Sequence, residues 1–162
     1  MVRELLPKLV YEFYAKVKKC AYDTSKPLQF ISSEFPIMQC QWASYLLAFH
    51  IFENTTYTGI DLVTGYVSDW EGDEISHCWL EVDGLLLDIT SDQYNLLNES
   101  ELHVSIINCR PFSPVYCIDI DLSLHYFLFT EKSREKIDRE FSLFTPDSFT
   151  EWKAEYLVVL DT

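Results

Sequence analysis

The chain has 162 residues, nearly half of them apolar, which suffices for one well-buried core but is short for two, so a single domain over residues 1–162 is expected. Scarce glycine and abundant Leu, Phe and Tyr exclude a collagen-like repeat or a disordered polar chain. The net charge of −14 is unevenly placed: residues 1–30 hold six Lys/Arg and three acids, whereas residues 31–109 hold thirteen Asp/Glu and no Lys or Arg. Such a field repels phosphate backbones and anionic lipid and attracts basic peptides or proteins.

In chain order, Leu5, Leu6, Leu9, Val10, Phe13, Tyr14 and Val17 recur at spacings of three and four, which predicts an amphipathic helix over 2–19. Turn and pre-proline signals at Asp23 to Pro27 and Ser32 to Pro36 make 20–38 irregular. A largely buried helix follows from Cys40 to Glu53, with Cys40 in its first turn. Tyr57–Val67, His77–Val82 and Leu85–Ile89 read as strands, the last two joined by Asp83-Gly84, a pair suited to a type I′ hairpin turn. That loop sets residue 82 opposite 85 and Asp88 opposite Trp79, on the face that carries His77. Further on, 91–98 reads as a short helix. His103–Asn108, Val115–Ile118 and Leu124–Phe129 read as strands, 133–141 as a helix, and a last helix starts at a capping box at Ser148. The fold class is α+β.

Cys40, His77 and Asp88 carry the chemistry. A thiol attacks a carbonyl well only as thiolate, so it needs an imidazole to take its proton, and the imidazole needs an acceptor that fixes its tautomer. A helix N-terminus stabilises a thiolate, and its free N–H groups can hold an oxyanion. Five cysteines without Cys-x-x-Cys spacing fit reduced thiols, and the start shows no secretory signal, so the expected location is cytoplasmic. No run is long enough to span a membrane. Cys78, Cys109, Cys117, His50, His103 and His125 lack metal-ligand spacing and are assigned to core packing, and no Gly-rich phosphate loop is present, so no metal and no cofactor are expected. The Tyr- and Phe-rich strands lack interleaved basic residues, so no nucleic-acid partner is expected either.

Phe35-Pro36-x-x-x-Cys40-x-x-x-Ser44-x-x-Leu47, His77-x-Trp79-Leu80-Glu81 and Leu87-Asp88-Ile89-Thr90-x-Asp92-Gln93-Tyr94 resemble, in order, blocks of small bacterial proteins in the transglutaminase-like branch of the papain-like cysteine hydrolases. The resemblance covers about residues 33–95. It implies a papain-like fold, with the Cys helix packed on an antiparallel sheet carrying His and Asp. It also implies Cys40 as nucleophile, His77 as base and Asp88 as orienter, acting through a thioester on a peptide bond or a glutamine side chain. Met38 stands where those proteins have Gly, and Trp42 where a small or polar residue is usual, which puts bulk beside the thiol. The expected partner is a peptide or protein substrate, basic by charge. The alternatives are a catalytically inactive acidic binding module, such as an immunity protein for a basic toxin, and a host-directed effector.

Overall fold

A computed structural model describes residues 2–26 and 28–162; Pro27, part of the first turn signal, lies outside the described residues. The architecture is α+β, with a five-stranded antiparallel sheet and five α-helices. The helices are α1 (Val2–Tyr22), α2 (Cys40–Asn54), α3 (Val104–Asn108), α4 (His125–Leu128) and α5 (Pro146–Leu160). The strands are β1 (Gly59–Tyr66), β2 (Ser76–Val82), β3 (Leu85–Asp88), β4 (Tyr116–Asp119) and β5 (Thr130–Asp138), in the sheet order β4-β3-β2-β1-β5.

The central strands β2 and β3 are buried on both faces. On one face α1, α2 and α5 pack against Ile60, Leu62, Leu80, Leu85 and Leu87. Helix α2 is apolar all round and buried continuously from Ala43 to Phe52, as a central helix must be. Its C-terminal carbonyls are met by Arg139, which donates to Phe52 O and Thr55 O, both at 2.6 Å, and to Tyr57 O. On the other face Val63, Trp79, Leu86, Tyr94, Ile106 and Phe129 form a second cluster. Gly65 is required there. A Cβ would lie 2.6 Å from Phe129 Cβ and 2.8 Å from the Trp79 ring, so only Gly lets β1 approach the aromatic layer beside its strand partner His77.

The β2–β3 hairpin has the register its two-residue loop dictates, Val82 pairing with Leu85 and Leu80 with Leu87, and Asp83 and Gly84 both take positive φ (53° and 75°). Four expectations are corrected. Residues 103–108 form a one-turn helix, because His103 Nδ1 accepts from Ser105 N at 3.1 Å and caps it. Of residues 124–129, His125–Leu128 form one helical turn, and within that turn His125 and Leu128, three apart, are buried, a helical rather than an alternating pattern. Residues 133–141 are mostly strand. Their charges suit a helix surface equally well, but here they line a solvent-facing edge strand paired with β1, where Lys and Arg deter edge-to-edge association. The last helix begins at Pro146 with Thr145 as cap, Thr145 Oγ1 accepting from Ser148 N at 3.2 Å, so Ser148 lies inside its first turn.

Arg139→Ala strips charged donors from three carbonyls around the end of α2 and is expected to lower stability by about 2 kcal/mol. Urea unfolding checks this, with a lower midpoint at unchanged slope.

Candidate functional site: a buried carboxylate shared by two histidines

His77 enters at the start of β2 and Asp88 ends β3, so the hairpin register brings them together across the sheet. His77 Nε2 lies 2.6 Å from Asp88 Oδ2, with side chains 0% and 1% exposed. His125, from α4, reaches the same oxygen with its Nε2 at 2.8 Å, and Ser91 Oγ donates to it as well. Thr90 covers the other oxygen, its N–H at 2.8 Å and its Oγ1 at 3.0 Å from Asp88 Oδ1. Burial by itself would raise the Asp88 pKa, but facing His77 and the hydrogen bonds from His125 and His77 outweigh it and hold the carboxyl well below its usual range. Burial lowers His125, against the pull of Asp88.

The amide of Gln93 fixes the His77 tautomer. Its Oε1 accepts from Met38 N at 3.3 Å, so its Nε2 is the donor, to Thr90 O at 3.1 Å and to His77 Nδ1 at 3.3 Å. His77 therefore carries its proton on Nε2, toward Asp88, and its lone pair on Nδ1. Tyr94, Phe129 and Trp79 pack around the ring at centroid distances of 5.5, 5.6 and 6.2 Å.

Cys40 is the first residue of α2, and the helix has no side-chain cap, because the amide of Gln39 bonds Ser32 instead. The connection leading to Cys40 is pinned by buried Glu155 of α5, which accepts the backbone N–H groups of Gln29, Phe30 and Ile31. The thiol lies within hydrogen-bonding reach of Cys78, the neighbour of His77 on β2, and among the described residues no hydrogen bond joins Cys40 to His77 directly. The hydrogen bond between the thiols, with burial, pushes Cys40 well up. The same bond, aided by Thr64 Oγ1 at 3.3 Å and by His77, draws Cys78 down to about 6 against burial.

Met38 takes φ 59°, the left-handed region in which Gly is at ease, and its side chain is 81% exposed. A left-handed conformation at a non-Gly residue costs about 1–2 kcal/mol. The Trp42 ring packs on Phe30 and Trp152, at 5.9 and 5.4 Å, within an aromatic cluster against α5.

Sequence reasoning missed three participants. Gln93 stood inside a quoted block without a role, Cys78 was assigned to packing, and His125 was read within a strand with no spacing signal to mark it. His77, Asp88 and His125 also form a possible metal triad, their ligand atoms within 4.8 Å of one another. Their hydrogen bonding opposes that use. A metal on both Nε2 atoms would move the protons to Nδ1, where His77 meets the Gln93 amide donor and His125 has no buried acceptor. No family model matches the chain, and no curated protein or solved structure does. No helix among the described residues is long and apolar enough to cross a membrane.

Asp92, beside this centre, is raised to about 6 by burial and by Asp88. Native Asp92 thus keeps a proton that the unfolded chain releases from its ordinary value of 3.8, and its contribution to stability falls as pH rises from there to about 6. Asp88 acts oppositely: its contribution is complete above 3.8 and is lost as pH falls toward its depressed native value. In urea unfolding across pH, Asp92→Asn is expected to flatten the first limb. Asp88→Asn is expected to flatten the second and to cost about 3 kcal/mol at neutral pH.

Proposed function

We propose that the chain is a cysteine-dependent amide hydrolase or acyltransferase of papain-like, transglutaminase-like architecture, acting in the cytoplasm on a peptide or protein substrate. The observation that carries this reading is the buried His77–Asp88 pair, 2.6 Å apart on adjacent strands, with the thiol-bearing N-terminus of a buried helix packed against the same strand. Five free cysteines suit a reducing compartment.

In the mechanism, Asp88 holds the His77 Nε2–H and leaves Nδ1 as the basic lone pair. The Gln93 amide occupies that lone pair at rest and must yield it for the Cys40 thiol to reach His77. The Cys40 sulfur attacks the substrate carbonyl while its proton passes to His77 Nδ1. The uncapped N–H groups at the start of α2 donate hydrogen bonds to the oxyanion. His77 then protonates the leaving amine, leaving a thioester on Cys40, and water or a second amine releases the acyl group. Asp88 stays ionised throughout.

A second reading, an acidic binding module such as an immunity protein for a basic toxin, is favoured by one feature: His77 is wholly buried with its lone pair capped by Gln93. One experiment separates the two. Iodoacetamide alkylation of Cys40, followed across pH by peptide mass spectrometry in Cys78→Ser protein, is expected to proceed well below pH 8 and to slow by at least about tenfold when His77→Ala is added. Slow labelling that is indifferent to His77 would support the binding module.

A further inference from the structure

A groove of about 760 Å³ opens beside the site and ends on Gln93, the residue that caps His77. Its apolar lining comes from Ile75, Tyr94, Leu97 and Leu102, and the exposed side chain of Met38 stands at the Gln93 end. One rim is the loop Glu71 to Glu74, folded over the Trp70 indole. Trp70 Nε1 donates to Asp73 O at 2.8 Å, and Gly72 lies so close to the ring that a Cβ would sit 2.5 Å from it. The other rim is Ser100 and Glu101.

The charge of this groove is one-sided. No Lys or Arg lines it. Glu74 is neutralised by Lys132 at 2.7 Å, but Glu71, Asp73 and Glu101 make no ion pair among the described residues. The flanking sequence offers no permanent counter-charge, since residues 31–109 contain no Lys or Arg, and His103 meets the Trp70 ring edge-on at 6.0 Å. Apolar walls, three unpaired carboxylates on two facing rims and a polar end at the catalytic candidate fit a ligand that is extended, partly aliphatic and cationic.

We infer that this groove binds an extended peptide segment bearing Lys or Arg, its basic side chains toward Glu71, Asp73 and Glu101, an aliphatic side chain on Leu97 and Leu102, and its backbone directed at Gln93. The inference names the substrate class of the proposed thiol site and rests on that reading only for what happens to the peptide once bound. Approach of the segment to Gln93 is also what would free His77, because a peptide amide can replace the Gln93 contacts to Met38 N and Thr90 O.

The test uses full-length Cys40→Ala protein, so that binding is read without turnover, and a fluorescein-labelled Ala-Leu-Arg-Lys-Leu-Ala peptide in anisotropy titrations. The comparison peptide carries Glu in place of Arg and Lys. The basic peptide is expected to bind at least about tenfold more tightly than its acidic counterpart, with affinity falling as salt rises. Combined Glu71→Gln, Asp73→Asn and Glu101→Gln should weaken it by about tenfold or more. Combined Glu53→Gln, Glu140→Gln and Asp147→Asn, an equal charge change at exposed positions away from the groove, should leave it nearly unchanged. Equal binding of both peptides, no binding of either, or equal loss in the two triple variants would overturn the inference. Since Cys40 is absent from this experiment, a failed alkylation test leaves a positive binding result standing, and a failed binding test leaves the alkylation result standing.

Discussion

The structure depends on one buried charge. Asp88 is removed from water at the end of a short interior strand, and an isolated carboxylate there would cost several kcal/mol. It is held by five hydrogen bonds, from His77, His125 and Ser91 on one oxygen and from Thr90 twice on the other. Those donors come from β2, α4 and the turn that follows β3, so satisfying one group fixes the mutual position of three parts of the chain. Each donor is constrained in turn: the His77 tautomer by Gln93, and the path to Cys40 by Glu155. With both carboxylate oxygens satisfied the centre is held in place, while His125 Nδ1, on the far side of its ring, has no partner among the described residues.

Around that centre the molecule separates two chemistries on two sides of β2. His77 and Trp79 face the aromatic cluster, while Cys78 faces the main core and the start of α2. The thiol of Cys40 therefore meets the sheet through Cys78, and the base sits one residue away on the other face, behind an amide. The acidity of the middle of the chain adds to this. It discourages a thiolate on Cys40, whose pKa is pushed up by Cys78 and by burial, and the same acidity leaves the neighbouring groove open to cations.

What was legible in the sequence is what local geometry governs. Asp83-Gly84 specifies a two-residue loop, the loop specifies the register, and the register makes His77 and Asp88 neighbours before any tertiary contact is known. Cys40 at a helix start followed likewise from apolar periodicity. His125 was out of reach because its role depends on where a single helical turn docks, and a four-residue element leaves too short a pattern to tell from a strand. Strand β5 was read as a helix for a related reason: Lys132, Arg134, Glu135 and Lys136 favour either state, and pairing with β1 decides between them. Met38 shows the converse. Its backbone takes a left-handed conformation in which Gly is at ease, and the residue type alone gives no sign of that.

The central claim is that Asp88 and Gln93 together fix His77 with its proton on Nε2 and its lone pair on Nδ1. The most direct measurement is ¹⁵N NMR of the histidine rings at neutral pH, with His125→Gln used to separate the His77 signals from those of the other ring on Asp88. The account gives a protonated Nε2 with a strongly downfield proton that disappears in Asp88→Asn, and an unprotonated Nδ1; a His77 protonated on Nδ1, alone or together with Nε2, would contradict it.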